Sequence, residues 1–358
     1  MSSFVKTTLA AALASSLTLG MQASAQAADL DRIQLKVPIA FSTQLPGLGS
    51  PIAKVADKIQ KVSNNTLRFK VYEPGKLVAP FEILDAVSRG KVDAGYATAG
   101  YWAGKIPASP LFSAIPFGPE AGEYIAWMYY GNGMKLYQKM YDQAGYHVKV
   151  LPCTLNAPET SGWFTKPIEK PEDLQGLRMR FFGLGAKVME KLGVATSLLP
   201  GAEIFPALEK GAIDATEFSM PAVDARQGFY KIAKYNYFPG WHQQATIFEL
   251  LINKDVWNKM HENQQVMVEE VCKASMADSF AEGEALQFKV LMENAEKHGV
   301  QIMRWNDTML AAFRQAWEEV AQEEAAKDAF FKEVWDDLSQ FRAQYELWER
   351  NAFLPREF

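Results

Sequence analysis

The chain has 358 residues, of which 48% are apolar and 22% are charged, an ordinary composition for a globular protein. This length usually corresponds to two compact units, each with a sizeable core. The formal net charge of −5 argues against a nucleic-acid-binding protein, because such proteins present a basic surface.

The first 25 residues have the pattern of a secretory signal peptide. Lys6 precedes an apolar run at 9–21, and small residues follow at 23–25, where cleavage is expected. The run is shorter than the roughly 20 apolar residues that a membrane-spanning helix needs, and hydroxyl side chains interrupt it. We therefore expect residues 1–25 to be removed when the protein is exported.

A βαβ unit is predicted next. Residues 33–41 alternate in polarity and contain β-branched side chains, which predicts a strand, and 67–73 form the following strand. Between them, apolar residues recur every three or four positions from Ile52 to Val62, which predicts an amphipathic helix. Such a unit places parallel strands in one sheet.

An internal repeat relates two distant segments. Residues 80–95 and 204–216 each combine a short helix, a glycine at its C-terminus (Gly90 or Gly211) and a strand with Val-Asp-Ala or Ile-Asp-Ala. Glycine adopts the left-handed conformation that ends the helix and turns the chain into a buried strand. Helix–glycine–strand segments are common in α/β proteins, but two distant copies predict two similar α/β lobes.

Two long strands are predicted to connect these lobes, one at 146–155 and one within 245–258. A long helix is expected at 263–298, where apolar side chains recur at intervals of four. The predicted division assigns 31–150 and 246–290 to lobe I, and 151–245 and 291–358, with the C-terminal helices, to lobe II.

The C-terminal segment is almost wholly helical and carries an apolar seam whose members are alternately three and four residues apart. Such a seam predicts either a helix that lies across both lobes or a helix that forms a homodimer, and both interpretations stay open. The seam consists of Phe331, Val334, Leu338, Phe341, Tyr345 and Trp348.

The only cysteines are Cys153 and Cys272. They could form one disulfide in an oxidising compartment, but the sequence favours separate buried thiols, and two cysteines exclude a cysteine-based metal site. No enzymatic motif is present: there is no nucleophile elbow, complete dinucleotide-binding glycine motif, P-loop or His-Glu-x-x-His sequence. Arg178 and Arg180 alternate on a predicted strand, where a guanidinium could hold a carboxylate, although a surface role is commoner for either arginine.

Four segments together resemble the periplasmic solute-binding proteins of TRAP transporters, in the DctP-type branch that handles 2-oxo and related organic acids. The resemblance runs from about residue 33 through the final helices. It implies a periplasmic location and a two-lobed α/β periplasmic-binding-protein fold, with hinge strands and a long helix that braces both lobes. The segments are EPGKLVAPFEILDAVSRGKVDAGYATAGYWAGKIPASPLFSAIPFG, GWFTKPIEKPEDLQGLRMR, GAIDATEFSMP and YFPGWHQQATIFELLIN.

The resemblance also implies a ligand site. Arg180 matches the family's arginine that holds the ligand carboxylate, whereas Arg178 becomes a packing or surface residue. Glu217, the main-chain carbonyl of Phe218 and Gln243 are expected to bind a metal ion, which is sodium, calcium or a similar oxygen-ligated cation. Such a cation offsets the cost of burying a carboxylate at the end of a strand.

This sequence departs from the branch at two positions. Gln243 stands where the branch often has glutamate, and Glu159 stands where related sequences have glutamine. We interpret the two differences as an exchange that keeps the net charge of the site, and we expect both side chains to contact the ligand. Phe41, Gln44 and Tyr101 are expected to line the cleft from the first lobe.

The resemblance therefore predicts a receptor that catalyses nothing. It captures a small carboxylate, a 2-oxo or 2-hydroxy acid, and delivers it to membrane permease subunits of the DctQ/DctM type. Two alternatives stay open. One is a secreted metal-dependent hydrolase that uses Glu159 or Glu217 as its base, and the other is a binding protein that signals to a membrane kinase.

Overall fold

A computed structural model describes residues 31–354, so the predicted signal peptide lies outside the described residues. Within 31–354 the structure is mixed α/β, and its helices are all too short or too polar to cross a membrane. The strands are β1 (Ile33–Pro38), β2 (Leu67–Tyr72), β3 (Ala94–Ala97), β4 (Val148–Asn156), β5 (Gly162–Phe164), β6 (Arg178–Arg180), β7 (Ala195–Ser197), β8 (Ala215–Thr216), β9 (Tyr235–Phe238), β10 (Thr246–Asn253) and β11 (Gln301–Arg304).

The helices follow the apolar periodicity of the sequence. In the first helix, Ile52, Val55 and Ile59 are fully buried, as their spacing predicts. The α-helices are α1 (Ser50–Val62), α2 (Ile83–Ser88), α3 (Ala121–Tyr130), α4 (Gly133–Gln143), α5 (Gly183–Lys191), α6 (Gly201–Glu209), α7 (Pro221–Gln227), α8 (Lys254–Lys259), α9 (Glu262–His298), α10 (Asp307–Lys327) and α11 (Ala329–Ala352).

The first lobe is built on strands β2, β1, β3, β10 and β4. β1 and β2 pair in parallel through the predicted βαβ unit, and β10 lies antiparallel between β3 and β4. A parallel bridge between Ile39 and Tyr96 connects the two groups of strands. The segment after β3 faces the second lobe, because Gly100 packs against the ring of Phe182.

The second lobe contains a six-stranded sheet in the order β11-β9-β5-β8-β6-β7. β6 pairs in parallel with β7 and β8, whereas β5 runs antiparallel to β8 and β9. The predicted repeat occurs in both lobes, since Gly90 leads from α2 to β3 and Gly211 from α6 to β8. Their φ angles are 67° and 65°, which confirms the left-handed turn expected of both glycines.

Two segments connect the lobes, but neither is one of the strands predicted to do so, and the first crossing comes later than residue 150. β4 stays in the first sheet as far as Asn156, so the chain crosses at 157–161 and enters β5. It returns at 239–245, between β9 and β10. α9 packs against β4 and α1 of the first lobe and against α7 of the second, which makes it the long bracing helix.

The last two helices attach to different lobes. α10 packs against α5 of the second lobe, whereas α11 packs against α3 and α4 of the first. Arg342 of α11 pairs with Glu123 at 3.2 Å, and Glu333 pairs with Lys139 at 2.6 Å. The structure therefore differs from the predicted division, which placed all the C-terminal helices in lobe II.

The apolar seam of α11 explains this attachment. Phe331, Val334 and Leu338 are fully buried, because this half of the seam faces inward beside the first lobe. Towards the end of the helix the seam becomes uncovered, and Trp348 is 61% exposed. The homodimer that the sequence suggested for this helix stays a prediction.

Cys153 and Cys272 form a disulfide between β4 and α9, so the interpretation as separate buried thiols is wrong. The pairing depends on how the long helix packs on a strand 119 residues away, which no local pattern shows. Nearby, the Leu155 main-chain N–H donates to Oγ of Ser279 at 2.9 Å. Together these contacts fix the bracing helix to the strand that leads into the first crossing.

Candidate functional site

Arg180 and Glu217 form the centre of the candidate site. β6 ends at Arg180 and pairs in parallel with β8, so Glu217, which directly follows β8, lies beside the arginine. Nη1 of Arg180 donates to Oε1 of Glu217 at 2.6 Å and to the Glu217 main-chain oxygen at 2.8 Å. The two side chains are only 2% and 0% exposed. The end of this strand thus places a charged pair in the interior.

Glu159 and Gln243 reach the same place from the two crossing segments. The Glu159 main-chain N–H donates to the Gln243 carbonyl at 3.2 Å, which joins the two segments. Nδ2 of Asn156 donates to Oε1 of Glu159 at 3.3 Å, and Nε2 of Gln243 donates to Oγ1 of Thr246 at 2.8 Å. Both side chains are buried, and a movement of the crossing segments would carry them with it.

Several buried polar atoms at this place have no hydrogen-bond partner among residues 31–354. They are Oε2 of Glu159, Oε2 of Glu217, Oε1 of Gln243 and both ring nitrogens of His242. Leaving such a group unpaired costs about 1–3 kcal/mol, so buried polar groups are almost always paired. Ligand atoms of Glu159, Glu217 and His242 lie within 4.8 Å of one another. This donor set fits a cation, which can satisfy several lone pairs at once.

Aromatic rings cover the polar cluster. The ring centroid of Tyr101 lies 5.6 Å from that of Phe41 in its own lobe and 5.6 Å from that of Phe182 in the second lobe. The ring of Phe218 lies 5.4 Å from the guanidinium of Arg180. The cavity that these rings leave is small, with a volume of about 20 Å³. Its lining consists of Phe41, Leu48, Thr98, Tyr101, Glu159, Arg180, Phe182, Phe218, Gln243, Thr246 and Phe248.

One glutamine and one arginine that the sequence analysis considered lie outside this cavity. Gln44, expected in the cleft, is exposed and lines an outer groove that shares Phe41 and Phe218 with the cavity. Arg178 is exposed and pairs with Asp214 at 2.6 Å, which is the surface role expected of it. The other residues expected at the site lie together: Phe41, Tyr101, Glu159, Arg180, Glu217, Phe218 and Gln243.

Three buried acids, Glu159, Glu217 and Asp224, lie in or near the cavity beside the single arginine Arg180, and the pKa values of two of them reflect this. Burial raises the pKa of Glu159 well above its usual range, and the neighbouring Glu217 and Asp224 carboxylates raise it further. Burial also raises the pKa of Asp224 to about 8, against the effect of the Trp163 indole, which donates to it at 2.8 Å. A bound cation would lower the pKa of Glu159, because it favours the ionised carboxylate.

Three residues of the site were not assigned from the sequence. The sequence could have pointed to His242, since it is the histidine that lies in a stretch resembling a binding site. Asp224 and Phe182 carried none, because an acid on a short helix and an aromatic after a strand have many ordinary packing roles. Their place in the site depends on contacts between segments that are distant in the chain.

Comparison with known proteins identifies similar sequences. The profile of the DctP family, bacterial extracellular solute-binding protein family 7, matches residues 47–328. A relative from Nostoc sp., described as a monocarboxylate 2-oxoacid-binding periplasmic protein, is 33% identical over 296 residues. The alignment covers 83% of this chain and 80% of the relative.

Solved structures of TRAP periplasmic solute-binding proteins are similar along nearly the whole fold. One from Pseudoalteromonas atlantica, with bound sodium and pyruvate, gives a TM-score of 0.86 at 29% identity and covers 90% of this chain and 97% of its own. One from Colwellia psychrerythraea, with bound calcium and pyruvate, gives 0.85 at 31% identity and covers 90% and 98%. The two-lobed architecture is therefore shared with both.

Proposed function

This chain belongs to the DctP family of bacterial extracellular solute-binding receptors, and from that premise we propose that it captures a 2-oxo or 2-hydroxy monocarboxylate in the periplasm. TRAP receptors of this kind work with membrane permeases, and we propose DctQ/DctM-type subunits as the partner here. The 2-oxoacid-binding relative and the two pyruvate-bound structures support this class of ligand.

The observation that carries the proposal is a buried guanidinium beside a group of unpaired oxygen donors. Three hydrogen bonds of Arg180 use Nε and Nη1, so a ligand carboxylate can accept from the two N–H groups of Nη2. Glu217, the Phe218 main-chain carbonyl and Gln243 would hold the cation. When bound, the cation would polarise the ligand oxygen next to the carboxylate.

Closure of the lobes completes the site. Phe41 and Tyr101 belong to the first lobe, Arg180 and Phe218 to the second, and Gln243 to a crossing segment. All five residues are more than 90% buried, so a ligand reaches the cavity only when the lobes separate. The bound acid would then be held by groups from every part of the molecule.

A receptor function agrees better with the role of the family than an enzymatic function does. Members of this family are solute-binding receptors, and we propose that this protein releases its ligand unchanged. A hydrolase that uses Glu159 or Glu217 as base would instead consume the ligand. Proton NMR of a bound 2-oxo acid after long incubation should show no product.

Isothermal titration calorimetry tests the site. The metal-supplemented protein should bind pyruvate or 2-oxobutyrate, and succinate weakly, because Arg180 is the one cationic side chain among the cavity-lining residues. Arg180→Ala should weaken binding at least about 30-fold, since truncating one partner of a buried charge pair costs about 2–5 kcal/mol. Arg178→Ala is the matched control, because that arginine is exposed and pairs with Asp214.

A folding defect can be separated from a binding defect. Arg180→Lys keeps the charge beside Glu217 but loses the planar fork, so it should fold and still bind weakly. Circular dichroism on both variants establishes folding. Unchanged affinity in a folded Arg180→Ala protein would refute the role of this residue, and equal losses in Arg178→Ala would show a non-specific effect.

A further inference from the structure

We propose that Glu159 makes the cation site of this protein selective for a divalent, oxygen-ligated ion of the calcium class over a monovalent ion. The selectivity rests on the proposed function, because part of the charge in the cavity comes from the bound monocarboxylate. It depends on the charge of Glu159, because a neutral side chain at this position would leave the cavity with one negative charge fewer.

The first support is the charge balance of an enclosed space. Once a cation holds Glu159 in its ionised form, Arg180 supplies one positive charge, while Glu159, Glu217 and the bound acid each supply one negative charge. A divalent cation neutralises the remainder, whereas a monovalent one leaves a net negative charge in a cavity that is shielded from water. Such unbalanced buried charge is costly, because the low dielectric screens it poorly.

The second support is the chemistry of the unpaired atoms. Within residues 31–354, Oε2 of Glu159, Oε2 of Glu217 and Oε1 of Gln243 have no hydrogen-bond partner, and the three residues are at most 4% exposed. Carboxylate and amide oxygens are the ligands that calcium prefers, and calcium accepts irregular arrangements of six to eight of them. Magnesium demands near-ideal octahedral geometry and dehydrates reluctantly, so it suits this site less well.

His242 is the residue that could change this selectivity. Its Nε2 lies 3.6 Å from Oε2 of Glu217, and neither ring nitrogen has a hydrogen-bond partner in the described part of the chain. An imidazole ligand would favour zinc or another transition metal. However, the ring packs at 4.8 Å against Phe181 and the oxygen donors outnumber it, which favours a hard cation. A metal series therefore has to include zinc.

The experiment measures cation binding in the presence of saturating pyruvate, because the bound acid supplies one of the negative charges in the cavity. Protein is dialysed against chelator and titrated with CaCl₂, NaCl and ZnCl₂ by calorimetry, and bound metal is counted by mass spectrometry. We expect wild-type protein to bind one calcium more tightly than sodium or zinc. Glu159→Gln should weaken calcium binding at least about tenfold, because it removes one charged ligand, and should change sodium binding much less.

Two further variants control the result. Glu159→Asp keeps the charge and should retain the preference for calcium over sodium. Glu203→Gln makes the same chemical change at an exposed residue of the outer groove and should bind calcium like wild type. Tighter binding of sodium or zinc than calcium by wild type would overturn the proposal. So would equal loss of calcium affinity in Glu159→Gln and Glu203→Gln proteins, with circular dichroism confirming their fold.

The outcome is distinguishable from the test of the proposed function. If pyruvate binds equally well with sodium and with calcium, the receptor proposal stands and the selectivity of Glu159 is refuted. If no 2-oxo acid binds with any cation, the receptor proposal fails. Weaker calcium binding by Glu159→Gln than by wild type, measured without organic acid, would then still support the role of Glu159 as a cation ligand.

Discussion

Buried carboxylates in this protein occupy two different environments. Glu249, on β10, accepts hydrogen bonds from Nε1 of Trp102 at 2.7 Å and from the hydroxyl groups of Tyr137 and Tyr141. Its charge is thus distributed over three donors inside the first lobe. Glu217, by contrast, retains an unpaired oxygen beside the cavity. The satisfied carboxylate serves the fold, and the unsatisfied one is available to a ligand.

Glu249 should make stability depend on pH. Burial raises the pKa of this carboxyl to about 7, although its three donors act in the opposite direction. The folded state therefore holds the proton more tightly than the unfolded state, so the free energy of unfolding should fall by roughly 3 kcal/mol between about pH 4.5 and pH 7. Glu249→Gln should remove that part of the slope.

Urea unfolding of both proteins at pH 5, 6 and 7 measures this slope. Glu209→Gln, an exposed change on α6, is the control and should follow wild type. Since other buried acids also titrate, the informative quantity is the difference between wild type and variant. A difference that stays constant across the three pH values would contradict the assignment.

Single residues were predictable where a motif carried them. Arg180, Glu217 and Gln243 lie in segments that resemble the family, and the structure brings them together. Gln44 had no such support and lies in the outer groove. Asp224 could not be identified, because its burial follows from how α7 packs and leaves no trace in the surrounding sequence.

At the scale of elements, the disulfide cross-links β4 to α9. It closes a loop of 119 residues that includes the whole central part of the chain. Replacing both cysteines, Cys153→Ala with Cys272→Ala, should lower the free energy of unfolding by up to about 5 kcal/mol, because a cross-link over so long a loop restricts the unfolded chain.

Chemical denaturation with and without reductant measures this effect. Reductant should bring wild-type protein close to the double variant and should leave the double variant unchanged. Reduced and oxidised wild-type protein with the same midpoint would rule out a stabilising role for the bond.

Helices and strands were easier to predict than the surfaces against which they pack. Apolar spacing gave the long helix α9 within a residue at its start, since such periodicity is a local property. The same spacing in α11 could not say which surface would cover Phe331 and Leu338, and the predicted division placed that helix in the wrong lobe. The cysteine pair was missed for the same reason, since both cases depend on packing between distant segments.

At the scale of the whole molecule, the lobes are closed over the cavity. The backbone of Gly100 lies so close to Phe182 across the cleft that a Cβ atom at this position would overlap the ring. Any larger residue at this position would have to push the Phe182 ring aside for the lobes to come together as they do. Phe182 also lines the cavity, so this contact links closure directly to the site.

Gly100→Ala should weaken ligand binding about tenfold or more, because the closed state must displace the Phe182 ring. Stability without ligand should change little if the open form relieves the overlap. Calorimetry measures the affinity, and thermal unfolding with and without ligand measures the two stabilities.

Gly104→Ala is the matched control, since nothing lies within 4 Å of an added Cβ there. The control should bind like wild type. Equal affinity for all three proteins would show that the Gly100 contact does not govern closure.

α10 is attached to one lobe and α11 to the other. The C-terminal helices must therefore respond whenever the lobes open or close. The two helices meet at Asp328, whose Oδ1 caps α11 by accepting from the main-chain N–H of Phe331 at 2.6 Å. When the lobes separate, the junction at Asp328 must bend, or one helix must shift along the surface on which it packs. Because these two helices are joined at Asp328 and attached to different lobes, we expect them to limit how far the lobes can separate.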